Sequence, residues 1–235
     1  MHHWAGLYGK TPSRGDFITR NLPRSFIEPW DQWLQESILS SREQLGEDWL
    51  QYFLVTPPWR FVMAPGVCGE LAWAGVLIPS VDRAQRYFPL TVAFSLNDRE
   101  NLFELFINQQ HWFRKIEELA LTSLSDTFNI DHLEQSLIEH PIDRTPPNRA
   151  SLLADLSEQP FDSQDNISAL FSGAINQAIP RLSSKFTLWG SNGTANSSAS
   201  LMLSDQLPRS TLFSEMVKGE VSARHSAPPY RHNMT

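Results

Sequence analysis

From Leu71 to Ile78 the stretch LAWAGVLI carries no polar side chain. A strand with one face in water alternates apolar and polar residues, so an unbroken apolar run of this length predicts a strand covered on both faces. Such a strand belongs in the middle of a sheet, with helices on at least one side. Its sequence neighbours WRFVMAP (59–65) and RYFPLTVAFSL (86–96) are equally rich in β-branched and aromatic residues and are set off by glycine and proline turns. Together the three predict adjacent strands in a meander.

Around this centre the pattern changes. Trp4 to Tyr8 reads as a first strand ended by Gly9, and KTPSRGD as a connection held by Pro12 and Gly15. Phe26, Ile27, Trp30, Trp33, Leu34, Ile38 and Leu39 recur at three- and four-residue steps, which predicts a helix with one buried face and Pro29 near its first turn. Gly46 separates it from a short helix in EDWLQYFL, stopped by Pro57-Pro58. Residues 101–124 read as one long amphipathic helix and IDHLEQSLIEH as a second. Residues 141–165 hold four of the sixteen prolines and read as a long loop or excursion. NISALFSGAINQAI reads as a third helix, and KFTLWG and SASLMLS as a final hairpin. Strands, helices and strands again, without regular βαβ alternation, predict an α+β domain with a mainly antiparallel sheet. The expected organisation is a core over 1–140, the excursion over 141–165, a helix and hairpin over 166–220 completing the same domain, and a disordered tail over 221–235.

Composition excludes several classes. No window approaches the roughly 18 uninterrupted apolar residues of a membrane helix. MHHWAGLYGK lacks the basic start and long apolar middle of a secretory signal, which predicts a cytoplasmic chain. The single cysteine, Cys68, rules out an internal disulfide framework and reads as a small buried thiol. A net charge of −7 argues against general nucleic-acid binding. The charge is uneven: residues 96–180 carry 5 basic and 14 acidic side chains, against 8 and 9 before them and 6 and 3 after. The middle third therefore presents an acidic surface.

GLYGKTPSRGDF (6–17) has the glycine-lysine-threonine ending of a phosphate-binding loop. Such a loop also needs a glycine where this chain has Trp4, and a helix that begins where Pro12 stands. The stretch reads instead as a rigid charged turn in which Lys10, Arg14 and Asp16 project or pair. No glycine pair has the spacing of a dinucleotide fingerprint or a nucleophile elbow, and the seven histidines form no helical zinc motif, so neither a metal nor a cofactor is expected. In PSVDRAQRYFP (79–89), Asp82, Arg83 and Arg86 fall in a turn between two core strands, where one carboxylate can hold an arginine fork while the other arginine faces outward. The turn is either a surface ion pair or one wall of a recognition site shared with Lys10, Arg14 and Asp16. Helical phasing places Trp30 and Trp33 in the core. Trp59, beside Pro58 and Arg60, reads as an exposed anchor for a partner.

YGKTPSRGDF, LPRSFIEPWDQWL, WRFVMAPGVCG and WAGVLIPSVDRAQRYFPLTV, in this order over residues 6–95, together resemble the TagF family, also called ImpM, of bacterial type VI secretion clusters. TLWGSNG stands where that family has a tryptophan-rich segment, with Gly190 in place of its second tryptophan. The resemblance implies a non-enzymatic cytoplasmic accessory protein that restrains assembly or firing of the secretion apparatus after translation. It also implies action through a forkhead-associated scaffold protein, and a longin- or profilin-like fold with about five antiparallel strands between helices. The resemblance assigns no catalytic residue. The competing expectations are a small-molecule or nucleotide sensor or enzyme using the basic turns, and a structural subunit of the apparatus.

Overall fold

The computed structural model describes residues 5–96, 101–125, 127–142, 184–194, 197–219 and 221. Its centre is one sheet of seven antiparallel strands. These are β1 (Ala5–Gly9), β2 (Ile18–Arg20), β3 (Trp59–Met63), β4 (Ala72–Ile78), β5 (Leu90–Leu96), β6 (Phe186–Ser191) and β7 (Ser200–Asp205), in the spatial order β2-β1-β5-β4-β3-β6-β7. The meander β3-β4-β5 is present, and β4 is buried along its whole length. The expectation of about five strands is corrected to seven. β2 is a three-residue edge strand, too short to show a period of two, and the C-terminal hairpin joins the same sheet by pairing β6 with β3.

Helices α1 (Arg24–Leu45), α2 (Trp49–Leu54) and α6 (Phe213–Lys218) cover one face, and α3 (Leu102–Asn108), α4 (Gln110–Leu121) and α5 (Ile130–Glu139) cover the other. Alternation along each strand feeds both layers, which is why β4 lacks polar residues. Ala72, Ala74, Val76 and Ile78 face the α3–α5 layer, and Trp73 and Leu77 the α1 layer. The single helix expected over 101–124 is broken at Gln109, where φ is −98° and ψ 28°. Asn101 caps α3 by accepting from the N–H groups of Phe103 and Glu104. The third helix, most of the 141–165 excursion and the tail expected from the sequence lie outside the described residues.

The α1 side is an aromatic layer. Trp30 stacks on Phe26 (5.4 Å) and, nearly parallel, on Trp189 (5.8 Å, 6°), with Phe61 and Trp33 at 5.0 and 4.9 Å. A buried indole carries an N–H that needs an acceptor. All seven described tryptophans have one, from Trp30 to Thr91 Oγ1 (2.9 Å) to Trp73 on the Cys68 carbonyl (3.2 Å). The opposite layer contains a charge. The Arg60 guanidinium donates to both carboxylate oxygens of Glu117 on α4, at 2.6 and 2.7 Å, and to Gln110 Oε1, while Gln110 Nε2 donates to the Phe106 carbonyl. Gln110 opens α4 immediately after the break, so the interruption coincides with the side chain that completes this network.

Gly75 lies at the middle of β4, where a Cβ would sit 2.2 Å from the Val92 carbonyl oxygen and 2.6 Å from the Phe61 ring. Gly75→Ala is therefore expected to cost stability at the upper end of about 1–3 kcal/mol, read as a lower denaturation midpoint in urea. An unchanged midpoint would show that β3 and β5 are less tightly apposed than the structure has them.

Candidate functional site

β1 delivers the chain to its first turn at Gly9, whose φ is 138° and whose absent Cβ would lie 2.1 Å from the Pro89 carbonyl oxygen. Only glycine allows that approach, and it brings Lys10 over the turn that links β4 to β5. That turn is a small hairpin, with Val81 bridging Tyr87 and Gln85 at φ 61°, a left-handed conformation unusual for a residue with a side chain.

Asp82 organises both turns. Its carboxylate is completely buried and accepts four hydrogen bonds. Lys10 Nζ (2.8 Å) and Arg86 Nε (2.7 Å) reach Oδ2; the N–H groups of Ala84 (2.8 Å) and Arg86 (2.9 Å) reach Oδ1. Burial alone would raise the Asp82 carboxyl. The bonds from Lys10, Arg86 and Ala84 outweigh it and hold the group well below the usual carboxylate range. The turns are also joined directly, since the Arg83 N–H donates to the Arg14 carbonyl (2.8 Å) and Arg86 Nη2 to that of Gly15. Phe17 closes the frame. It stacks on Tyr8 (5.7 Å), meets Phe88 edge-on (4.8 Å) and lies 5.0 Å beneath Lys10 Nζ.

The structure thus brings together six of the seven residues singled out in the sequence and divides them by role. Lys10 and Asp82 are interior, 6% and 0% exposed, and hold the frame. Arg14, Asp16, Arg83 and Arg86 are exposed on it. Asp82 holds Arg86, and Arg83 is the arginine that faces outward. Trp59 is corrected: it is 1% exposed, and its indole donates to the Met216 carbonyl at 3.0 Å. Strand parity explains this, because Trp59 shares the aromatic face with Phe61 and Met63.

Along β2 runs a groove of about 570 Å³, lined by residues 13–20, Arg83 and Ile130. Arg20 and the β2 backbone at its wall were not singled out in the sequence, because ITR is too short to read as a strand. Among the described residues, the Arg14 and Arg83 side chains have no hydrogen bond or ion pair, and Arg83 Nη2 lies 3.9 Å from where a Cβ on Gly15 would be. Cys68 is buried, and burial pushes its thiol up to about 12. Among the described residues no cluster of His, Cys, Asp or Glu could hold a metal ion, and no helix is long and apolar enough to cross a membrane.

Residues 6–139 match the family model of the TagF N-terminal domain, described as type VI secretion system-associated. Among solved structures, the crystal structure of PA0076 from Pseudomonas aeruginosa PAO1 is similar, with 34% sequence identity and a TM-score of 0.72 over 97% of this chain and 100% of that one. No curated protein matches the chain. The Asp82 frame and its exposed arginines lie wholly inside the stretch matched by the family model.

Asp82→Asn leaves the Lys10 ammonium buried without its counter-charge, and a loss of about 3–5 kcal/mol is expected from denaturant unfolding. Lys10→Met is expected to cost less, because Arg86 and two N–H groups still hold the carboxylate. Because the folded carboxyl is depressed, its contribution is fully present above the unfolded value near about 3.9 and is lost as pH falls toward the folded value. Stability measured between pH 5 and pH 2 is accordingly expected to fall less steeply in Asp82→Asn than in the parent chain.

Proposed function

The chain belongs to the TagF family of type VI secretion system-associated proteins, and from that premise we propose that it is a cytoplasmic negative regulator acting by protein binding. In this reading it restrains assembly or firing of the secretion apparatus after translation by occupying a forkhead-associated scaffold protein, and it makes or breaks no bond. Arg14 and Arg83 are its principal contacts, with Asp16 and Arg86 beside them.

One observation supports this reading above the others. Two turns, distant in sequence, are locked together by a buried carboxylate and a backbone hydrogen bond, so that the backbone carrying two arginines, unpaired among the described residues, is fixed at the surface. Fixing the backbone from which each arginine projects reduces the conformational entropy lost on binding. A frame that served stability alone would need Lys10, Asp82 and Arg86, but not Arg14 and Arg83.

Arg14→Glu combined with Arg83→Glu is expected to leave the melting temperature unchanged, since neither side chain takes part in the frame. The same double variant should lose co-precipitation with the scaffold protein and release secretion from repression in the native cell. If a folded double variant still captures the scaffold and still represses, this surface is not the one that acts.

A further inference from the structure

β2 is the outermost strand on its side of the sheet, and no strand of the described chain pairs with its outer side. A sheet edge is a row of backbone donors and acceptors, and proteins blunt it by shortness, charge or cover. β2 is short, yet the space beside it is the 570 Å³ groove, and Thr19 and Arg20 are exposed within it.

The charge of the groove runs against that of the chain. Its lining carries Arg14, Arg20 and Arg83 against Asp16 alone, in a chain of net charge −7. Arg20 Nε lies 3.9 Å from Glu134 and Arg20 Nη1 donates to the Thr19 carbonyl (3.3 Å), so part of its charge is answered internally. Among the described residues, the charges of Arg14 and Arg83 are not. Of the apolar residues in the lining, Phe17, 46% exposed, is packed against Tyr8 and Phe88 on one face of the sheet, and Ile18 is buried on the other. A free edge gives affinity through main-chain hydrogen bonds, and charges alongside it select the side chains of the incoming segment.

We propose that this groove takes an extended acidic segment of a partner protein, which adds a strand to the outer side of β2 and sets its carboxylates against Arg14 and Arg83. The proposal rests on the reading of the chain as a protein-binding regulator and specifies the kind of segment that it grips. A small anion has no use for a strand edge, and a basic or neutral segment would leave the arginines unanswered.

The test is selection of short random peptides, displayed on phage, against the full chain, followed by anisotropy titration of the selected peptides. Acidic sequences depleted in proline are expected. Their binding should weaken at least about tenfold with Arg14→Glu and Arg83→Glu together, and by a similar factor when single central backbone amides of the peptide are N-methylated, which removes the donor and spares the charge. Arg20→Glu, on β2 itself, should weaken it too, with circular dichroism confirming the fold of each variant. Neutral or basic sequences, binders indifferent to these substitutions, or binders tolerant of N-methylation at every central position would overturn the proposal. So would an absence of binders, whether or not inorganic phosphate alone raised the melting temperature. Should the scaffold still be captured through Arg14 and Arg83 while the peptides fail, the inference falls and the regulatory reading stands. Should the peptides behave as expected while scaffold capture ignores the arginines, the regulatory reading falls and the groove stands.

Discussion

The Asp82 carboxylate is the constraint on which the working end of the molecule depends. Removing a carboxylate from water is expensive, and here the cost is offset by one ammonium, one guanidinium and two backbone N–H groups converging on two oxygens. Those donors come from residues 10, 84 and 86, so satisfying one buried charge also sets the relation between two distant turns. The sheet alone would not do this. β1 is held to β5 by five register pairs, but its last is Gly9 with Leu90, and beyond that point the path of the chain follows from Lys10.

Much of the architecture was legible because burial writes itself into spacing. The polar-free run of β4 announced a strand covered on both sides, and the helical steps from Phe26 to Leu39 announced the face of α1 that meets the sheet. Resolution failed where an element was too short or a single side chain redirected it. Three residues of β2 cannot display a period. The break at Gln109 coincides with a glutamine recruited by Arg60, a strand residue whose charge gave no hint that it would be buried.

The site was legible in part, and for a physical reason. Charged residues among prolines and glycines mark stiff corners, and both corners are where they were expected. Which of those charges would point inward depends on pairing between β1 and β5, strands some eighty residues apart, and spacing cannot carry that information. Trp59 shows the converse. Its flanking Pro58 and Arg60 suggested an exposed anchor, while the alternation that puts Phe61 and Met63 on the aromatic face already required Trp59 to join them.

The pairing of β6 with β3 bears on how the chain is made. β3 and β4 leave the ribosome early, but the strand that covers the outer side of β3 is more than a hundred residues further along, and it carries the Trp189 ring that stacks on Trp30. Until that strand is synthesised, the nascent chain exposes a bare strand edge beside an unfinished aromatic layer, the kind of surface on which chaperones act and from which aggregates grow. The stretch shared with the family model, residues 6–139, is in that same condition when cut out alone, since it ends before the hairpin that seals it.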